Sequence, residues 1–256
     1  MRLVLVQPTL SHLPDGDNMA TLRSALDSVR AGTGDIVLLP ERCYLGTERQ
    51  AYESAMTSLA KELSCTLVAG SQHWLEGSSR VHRGIVVQPD GSVLGEFHKL
   101  RPYSDERNWV DPGTIRGEFE IGGRRVLVLI CADFWFSDLL LATRTQPDLI
   151  LVPALSVSRK HAPAYSKALW QHLAVTRAYE LGAFVGVSDW AHDSTLPVLK
   201  ASGVSGFADP TQEHADALFA PLDSAVARAF DLDFAALERF RDDRRGRGFF
   251  WIADGS

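Results

Sequence analysis

Short aliphatic runs separated by amphipathic stretches constrain this chain more than any other feature. RLVLVQ (2–7), DIVLLP (35–40), CTLVAGSQ (65–72), RRVLVLI (124–130), DLILVP (148–153) and AFVGVSD (183–189) each read as a strand buried on both faces. Between them lie helical patterns. Leu22, Leu26 and Val29 recur at three- and four-residue spacing after PDGD, YESAMTSLAKELS covers 52–64, a helix is expected after Cys131, and a longer one spans 163–181. Two hairpins interrupt the alternation: GIVVQPDGSVLGEFHK (84–99) around Pro-Asp-Gly, and EFEIGGRRVLVLI (118–130) around Gly122-Gly123. GVSGFADP (203–210), a hairpin through 217–232 and a short helix near 234–243 complete the pattern. Helices alternating with strands and hairpins predict an α/β fold of two mixed sheets packed face to face with helices outside. No linker, low-complexity tract or tandem repeat divides residues 1–256, so a single domain is expected.

Bulk properties narrow the function classes. A chain of 256 residues with 45% hydrophobic and 23% charged residues is an ordinary globular composition. Its net charge of -6 is spread among mixed acids and bases, and no basic-aromatic array appears, so no nucleic-acid partner is expected. The one basic cluster, RFRDDRRGRG (239–248), is broken by Asp242 and Asp243 and reads as a solvated helix end or a subunit contact. Cys43, Cys65 and Cys131 form neither a disulfide framework nor a zinc spacing, so no metal is expected. No apolar run reaches membrane-spanning length and MRLVLVQPTL lacks a signal-peptide pattern. No membrane partner is expected, and a cytoplasmic location follows.

Several chemically capable residues follow predicted strands. Glu41 lies just past 36–39, Lys99 ends 93–98 with Glu106 in the next loop, and Cys131 ends 124–130. Strand ends are where α/β folds place their sites. A cysteine thiolate attacks, a carboxylate takes its proton, and an ammonium stabilises the thiolate and the oxyanion of an attacked carbonyl. Such a set needs no cofactor. Each residue alone has an ordinary alternative: a buried cysteine as core filler, a glutamate after proline in a solvated loop, a lysine protecting a sheet edge.

Taken in order, LLPE, FHKLRPYSDE and VLICAD resemble the three signature segments of the nitrilase superfamily, the carbon-nitrogen hydrolases. LVLVQPTL, LVPAL (151–155), WQHLAVTRAYELGAFVGVSD (170–189) and SGVSGFADPTQE (202–213) extend the resemblance over nearly the whole chain. It implies an α-β-β-α sandwich with Glu41 as general base, Lys99 as stabiliser of the tetrahedral intermediate and Cys131 as nucleophile. Glu106 matches a fourth acidic residue that positions the lysine or substrate, and the N–H of Ala132 is implied to hold the oxyanion. Subunit pairing through helices after the cysteine and in the RAYE region is implied too, giving a homodimer or larger homo-oligomer.

Departures from the family pattern shape the expected substrate. Nitrilases usually carry Trp-Glu after the nucleophile, and Ala132-Asp133 here favours an amidase-like reading. The run DFWFSD matches the omega-amidase pattern at Asp133 and Phe136, but Trp135 and Ser137 replace its arginine and proline, which disfavours small dicarboxylate monoamides. Phe134, Trp135 and Trp190 either line an apolar pocket or serve core packing or a dimer interface. His192 and His161 fall in segments resembling substrate-facing loops, with a surface or structural role as the alternative. Tyr44 and Arg107 are read as substrate contacts. The leading expectation is hydrolysis of a small linear or N-carbamoyl amide. Nitrile hydrolysis, acyl transfer from the same thioester and an inactive scaffold are the alternatives.

Overall fold

The computed structural model describes residues 1–13, 16–46, 48–158, 163–197 and 199–249. In chain order the elements are β1 (Arg2–Val6), α1 (Asn18–Ser28), β2 (Asp35–Leu38), α2 (Arg49–Leu63), β3 (Thr66–Val68), β4 (Gln72–Glu76), β5 (Ser79–Val87) and β6 (Val93–His98). Then follow β7 (Gly117–Ile121), β8 (Arg124–Val128), α3 (Ser137–Leu141), β9 (Leu149–Pro153), β10 (Val157–Ser158), α4 (Pro163–Leu181) and β11 (Phe184–Ser188). The chain closes with β12 (Lys200–Ala201), β13 (Gly206–Ala208), β14 (Phe219–Pro221), β15 (Ala227–Asp231) and α5 (Phe234–Gly246).

Two mixed sheets form the centre. One runs β15-β1-β2-β3-β5-β4 with β6 added beside β5, and the other runs β14-β13-β11-β9-β8-β7. The pleat decides which layer each side chain enters. Leu3, Leu5, Ile36, Leu38 and Val68 point into the inter-sheet core with Leu149, Leu151 and Phe184. Their neighbours Val4, Val6, Val37, Leu39 and Leu67 point the other way, against Leu22 and Leu26 of α1 and Tyr52, Met56 and Leu59 of α2. On the far side, Trp170, Ala174, Ala178 and Leu181 of α4 cover the second sheet. The continuous aliphatic runs therefore arise because these strands are buried on both faces. The result is the expected α-β-β-α sandwich.

Three local expectations are corrected. CTLVAGSQ is not one strand. It breaks at Gly70, whose φ of +64° and close approach to the Pro40 carbonyl, 2.1 Å from an added Cβ, exclude other residues. The chain then enters β4, which pairs with β5 as an unexpected hairpin. The segment 217–232 does contain two strands, but they do not pair: β14 adds to β13, whereas β15 crosses to the first sheet and pairs antiparallel with β1. Local alternation specifies a strand and its face, not its partner. Finally, Cys131 opens a single 3-10 turn, Cys131–Trp135, before the five-residue α3, rather than a full helix. Within this turn Asp133 N–H donates to the Ile130 carbonyl at 3.0 Å, and the Asp133 carboxylate ties the turn to the loop after Lys99 by accepting from the Leu100 and Arg101 amides, at 2.9 and 2.8 Å.

Candidate active site

The C-terminal ends of β2, β6 and β8 bring Glu41, Lys99 and Cys131 to one edge of the sandwich. Past Pro40 the chain is pinned by Glu41 N–H donating to the Ala154 carbonyl (3.2 Å) and Arg42 N–H to that of Ser71 (2.7 Å). The Glu41 side chain spans the two sheets: Oε2 accepts from the Leu155 amide at 2.8 Å, and Oε1 from Lys99 Nζ at 2.7 Å. Lys99 Nζ also contacts Glu106 Oε2 at 2.8 Å. One ammonium is thus clamped between two carboxylates, and all three residues are buried.

Cys131 has φ +48°, a left-handed conformation that costs a non-glycine residue strain. The strain turns the thiol from the strand end toward a cavity, with Sγ 3.9 Å from the Leu155 carbonyl. Burial pushes the thiol well above its usual pKa; the Glu41 charge adds to this and Lys99 opposes it. For Glu41, burial favours the neutral acid, but Lys99 and His82 outweigh it and the carboxyl stays below its ordinary value. Burial also works against the Lys99 charge, yet Glu41, Cys131 and Glu106 raise its pKa on balance. At neutral pH the site holds a thiol, a carboxylate and an ammonium.

Behind Lys99 lies a layer that sequence reading missed. His73 of β4 and His82 of β5 are cross-strand partners, with ring centroids 4.1 Å apart. Both rings reach Glu106 Oε1, His73 through Nε2 at 2.8 Å and His82 through Nδ1 at 2.5 Å. A carboxylate only accepts, so each ring donates there. The neutral His82 ring then accepts from the Ser71 hydroxyl at Nε2, 2.8 Å away. Burial, His73 and Lys99 keep that ring neutral, its pKa lowered to about 4. Glu106 Oε2 also takes the Tyr103 amide at 3.1 Å. Burial opposes its charge, but the histidine donors and Lys99 prevail, holding it well below the carboxylate range. The missed signal is the hairpin HWLEGSSRVH, whose Gly77 turn sets the two histidines opposite each other.

His73, His82 and Glu106 also offer one metal-ligating atom each, all within 4.8 Å of one another. Their contacts of 2.5 and 2.8 Å to one oxygen are shorter than the roughly 3.3 Å between ligands around a tetrahedral zinc. The donor set fits a proton-sharing network.

A cavity of about 420 Å³ opens over Cys131, lined by Ala132, Trp135, Leu155, Val157 and Trp170 among others. Of the aromatics expected at a pocket, Trp135 lines it. Phe134 is wholly buried behind it, stacked on Trp170 at 6.1 Å. Trp190 is a support rather than a wall: it is buried and its Nε1–H donates to the Glu41 carbonyl at 2.7 Å. Tyr44 packs on Tyr52, with ring centroids 6.0 Å apart, and its carbonyl accepts from Gln72 Nε2. His192 places Nδ1 2.6 Å from the Ala201 carbonyl. Arg107 is exposed on the 3-10 turn that carries Glu106. Tyr44, His192 and Arg107 are not among the described residues lining the cavity. His161 lies outside the described residues. Asp189, also missed, fixes the cavity wall: its carboxylate accepts from the Ser156 and Val204 amides at 2.9 and 3.0 Å.

Among the described residues no helix is long and apolar enough to cross a membrane. Comparison with known proteins agrees with the geometry. The carbon-nitrogen hydrolase family profile matches residues 5–218. A relative, the omega-amidase YafV of Yersinia enterocolitica, is 29% identical over 195 residues, 72% of each chain. Nit3 of Saccharomyces cerevisiae, a nitrilase-superfamily protein, superposes with a TM-score of 0.76 at 19% identity over 95% of this chain and 93% of its own. An amidase from Nesterenkonia sp. gives 0.73 at 21% identity, covering 97% and 96%. With the family profile spanning most of its length, and the superfamily's sandwich beneath it, this chain belongs to the carbon-nitrogen hydrolases of the nitrilase superfamily.

Proposed function

We propose that the protein is an amidase that cleaves the C–N bond of a small linear or N-carbamoyl amide through a thioester on Cys131. One observation carries this reading: the buried Glu41–Lys99 pair, its ammonium 2.7 Å from the carboxylate, acts directly on the Cys131 thiol, which itself lines a cavity. Glu41 takes the thiol proton as the sulfur bonds to the amide carbon. The carbonyl electron pair moves to oxygen, where Lys99 and the Ala132 N–H receive the charge. The C–N bond then breaks, and the amine or ammonia departs with the proton held by Glu41. Water gives a proton to Glu41 and adds to the thioester; the C–S bond breaks, and the thiol regains its proton as the acid leaves. Glu106 acts through Lys99, holding the ammonium in place.

The active unit is proposed to be a homodimer. Tyr179 of α4 is half-exposed in a groove of about 550 Å³ lined by Val175, Ala178, Pro210 and Leu218 with Glu180 and Asp209 at its side, a largely apolar face suited to a second copy.

Ammonia release with mass-spectrometric product identification tests the activity, across aliphatic, aromatic and N-carbamoyl amides and nitriles, with Cys131→Ala beside the wild type. Release from amides that vanishes in the variant is the expected result. Release that survives in Cys131→Ala, or that comes only from nitriles, overturns the reading.

A further inference from the structure

We infer that the acyl group this enzyme accepts is uncharged and apolar, of arylpropanoyl size, and that amides carrying a second carboxylate are rejected. This rests on the reading of Cys131 as the nucleophile and adds the substrate class. The cavity over Cys131 is walled by Trp135, Leu155, Val157, Leu169 and Trp170, and none of its described lining residues carries a formal charge. Its polar side chains are the hydroxyl-bearing Tyr103, Tyr165, Ser156 and Ser166, the Cys131 thiol and the indoles of Trp135 and Trp170.

Among the described residues, the cations that flank Cys131 and the aromatic wall are already engaged. Lys99 is held between Glu41 and Glu106 at 2.7 and 2.8 Å. Arg101 pairs with Asp138 and lies over the Phe136 ring, 4.4 Å from its centroid. A carboxylate entering here would lose its water and gain no ion partner among these groups, which burial penalises heavily.

Size and shape point to the same class. An apolar cavity of about 150 Å³ takes a benzene ring. The 420 Å³ here therefore accommodates a ring together with its chain and the reacting amide. Trp170 is nearly inaccessible and forms a fixed wall, braced by Phe134 in a stacked arrangement and by Trp135 edge-on at 5.6 Å. Two indole walls favour a planar aromatic guest.

The test compares 3-phenylpropanamide, hexanamide and glutaramate. Initial rates are read as ammonia on wild type, and binding is read as indole fluorescence in the non-reacting Cys131→Ala protein. Expected is a kcat/KM for 3-phenylpropanamide at least ~10²-fold above that for glutaramate, with hexanamide between them. Leu169→Lys places a cation at a partly exposed helical position that tolerates lysine, 37% exposed in the native chain. It is expected to raise glutaramate turnover about tenfold and lower that of 3-phenylpropanamide. Glutaramate turned over as well as the aromatic amide overturns the inference and leaves the hydrolase reading standing. Binding of 3-phenylpropanamide but not glutaramate, with no turnover of any amide, does the reverse. No binding of the aromatic amide, or a Leu169→Lys variant with unaltered preference, also overturns the inference.

Discussion

At the scale of single residues, the state of Cys131 follows from opposing neighbours. Burial and Glu41 keep the proton on sulfur, while Lys99 draws it off. Replacing Glu41 with glutamine removes one of the two forces that raise the thiol and leaves Lys99 in place. Glu41→Gln is therefore expected to hold more thiolate at neutral pH than wild type, seen as faster alkylation by iodoacetamide. Amide turnover should fall on the order of 10²–10⁴-fold, because the proposed proton acceptor is gone. Slower alkylation would contradict this account of the site. His82 gives a second expectation. Its Nδ1–H, 2.5 Å from Glu106, stabilises the charged carboxylate. Without that donor the Glu106 pKa rises toward ordinary values, so its charge is lost at higher pH than in wild type. His82→Leu should thus move the acid limb of the kcat/KM profile upward in pH and cost about 10–100-fold at neutral pH. His82→Gln, which keeps a donor, should recover part of the loss; an unmoved acid limb would show that the ring only fills space. The residues proposed to act directly were readable because each follows an aliphatic run. The histidines were not, since their partner, Glu106, lies in a distant loop.

At the scale of elements, the sequence resolved strands and faces better than partners. β1, β2, β9 and β11 were legible as apolar runs. The strands of 217–232 were legible too, but whether they pair with each other is decided by what lies beside them. β15 closes the edge of the first sheet against β1, and β14 the edge of the second against β13. The basic cluster near the C-terminus is likewise settled by a neighbour. Most of it is the exposed end of α5, but Arg241 is buried and holds Asp148, at the entry to β9, at 2.6 Å. Its Nη2 and Nε also donate to the Pro147 and Gly182 carbonyls, at 2.7 and 2.8 Å. One guanidinium thus ties α5 to the starts of β9 and β11. Arg241→Met strands the Asp148 carboxylate with the half-exposed Arg125 alone and should cost about 3–5 kcal/mol in denaturant unfolding at neutral pH. Burial tends to raise the Asp148 pKa, but Arg125 and Arg241 lower it on balance. A depressed folded pKa stabilises above the unfolded value, and that contribution disappears as pH falls through the folded one. The difference between variant and wild type should therefore shrink in acid; a constant difference would assign the loss to packing instead.

At the scale of the whole molecule, two sheets packed face to face create an edge where strand ends from both meet, and Glu41, Lys99 and Cys131 lie along it. The proposed dimer belongs to the same scale. Sedimentation velocity is expected to give twice the chain mass, and Tyr179→Asp, which charges the exposed face of α4, to shift it toward monomer; a monomeric wild type would refute the assembly. The sequence by itself determined the layered α/β class, the positions of Glu41, Lys99 and Cys131 just past their strands, and the family. All of these are written in local periodicity and short motifs. Only the tertiary structure decided which strands pair, that His73 and His82 back Glu106, that Trp190 supports Glu41 instead of lining a pocket, and that the cavity wall is apolar. The physical reason is one of range. Burial patterns and turn chemistry act between residues close along the chain. Hydrogen-bond partners and cavity walls are chosen among residues far apart in sequence, and become neighbours only when the two sheets close on each other.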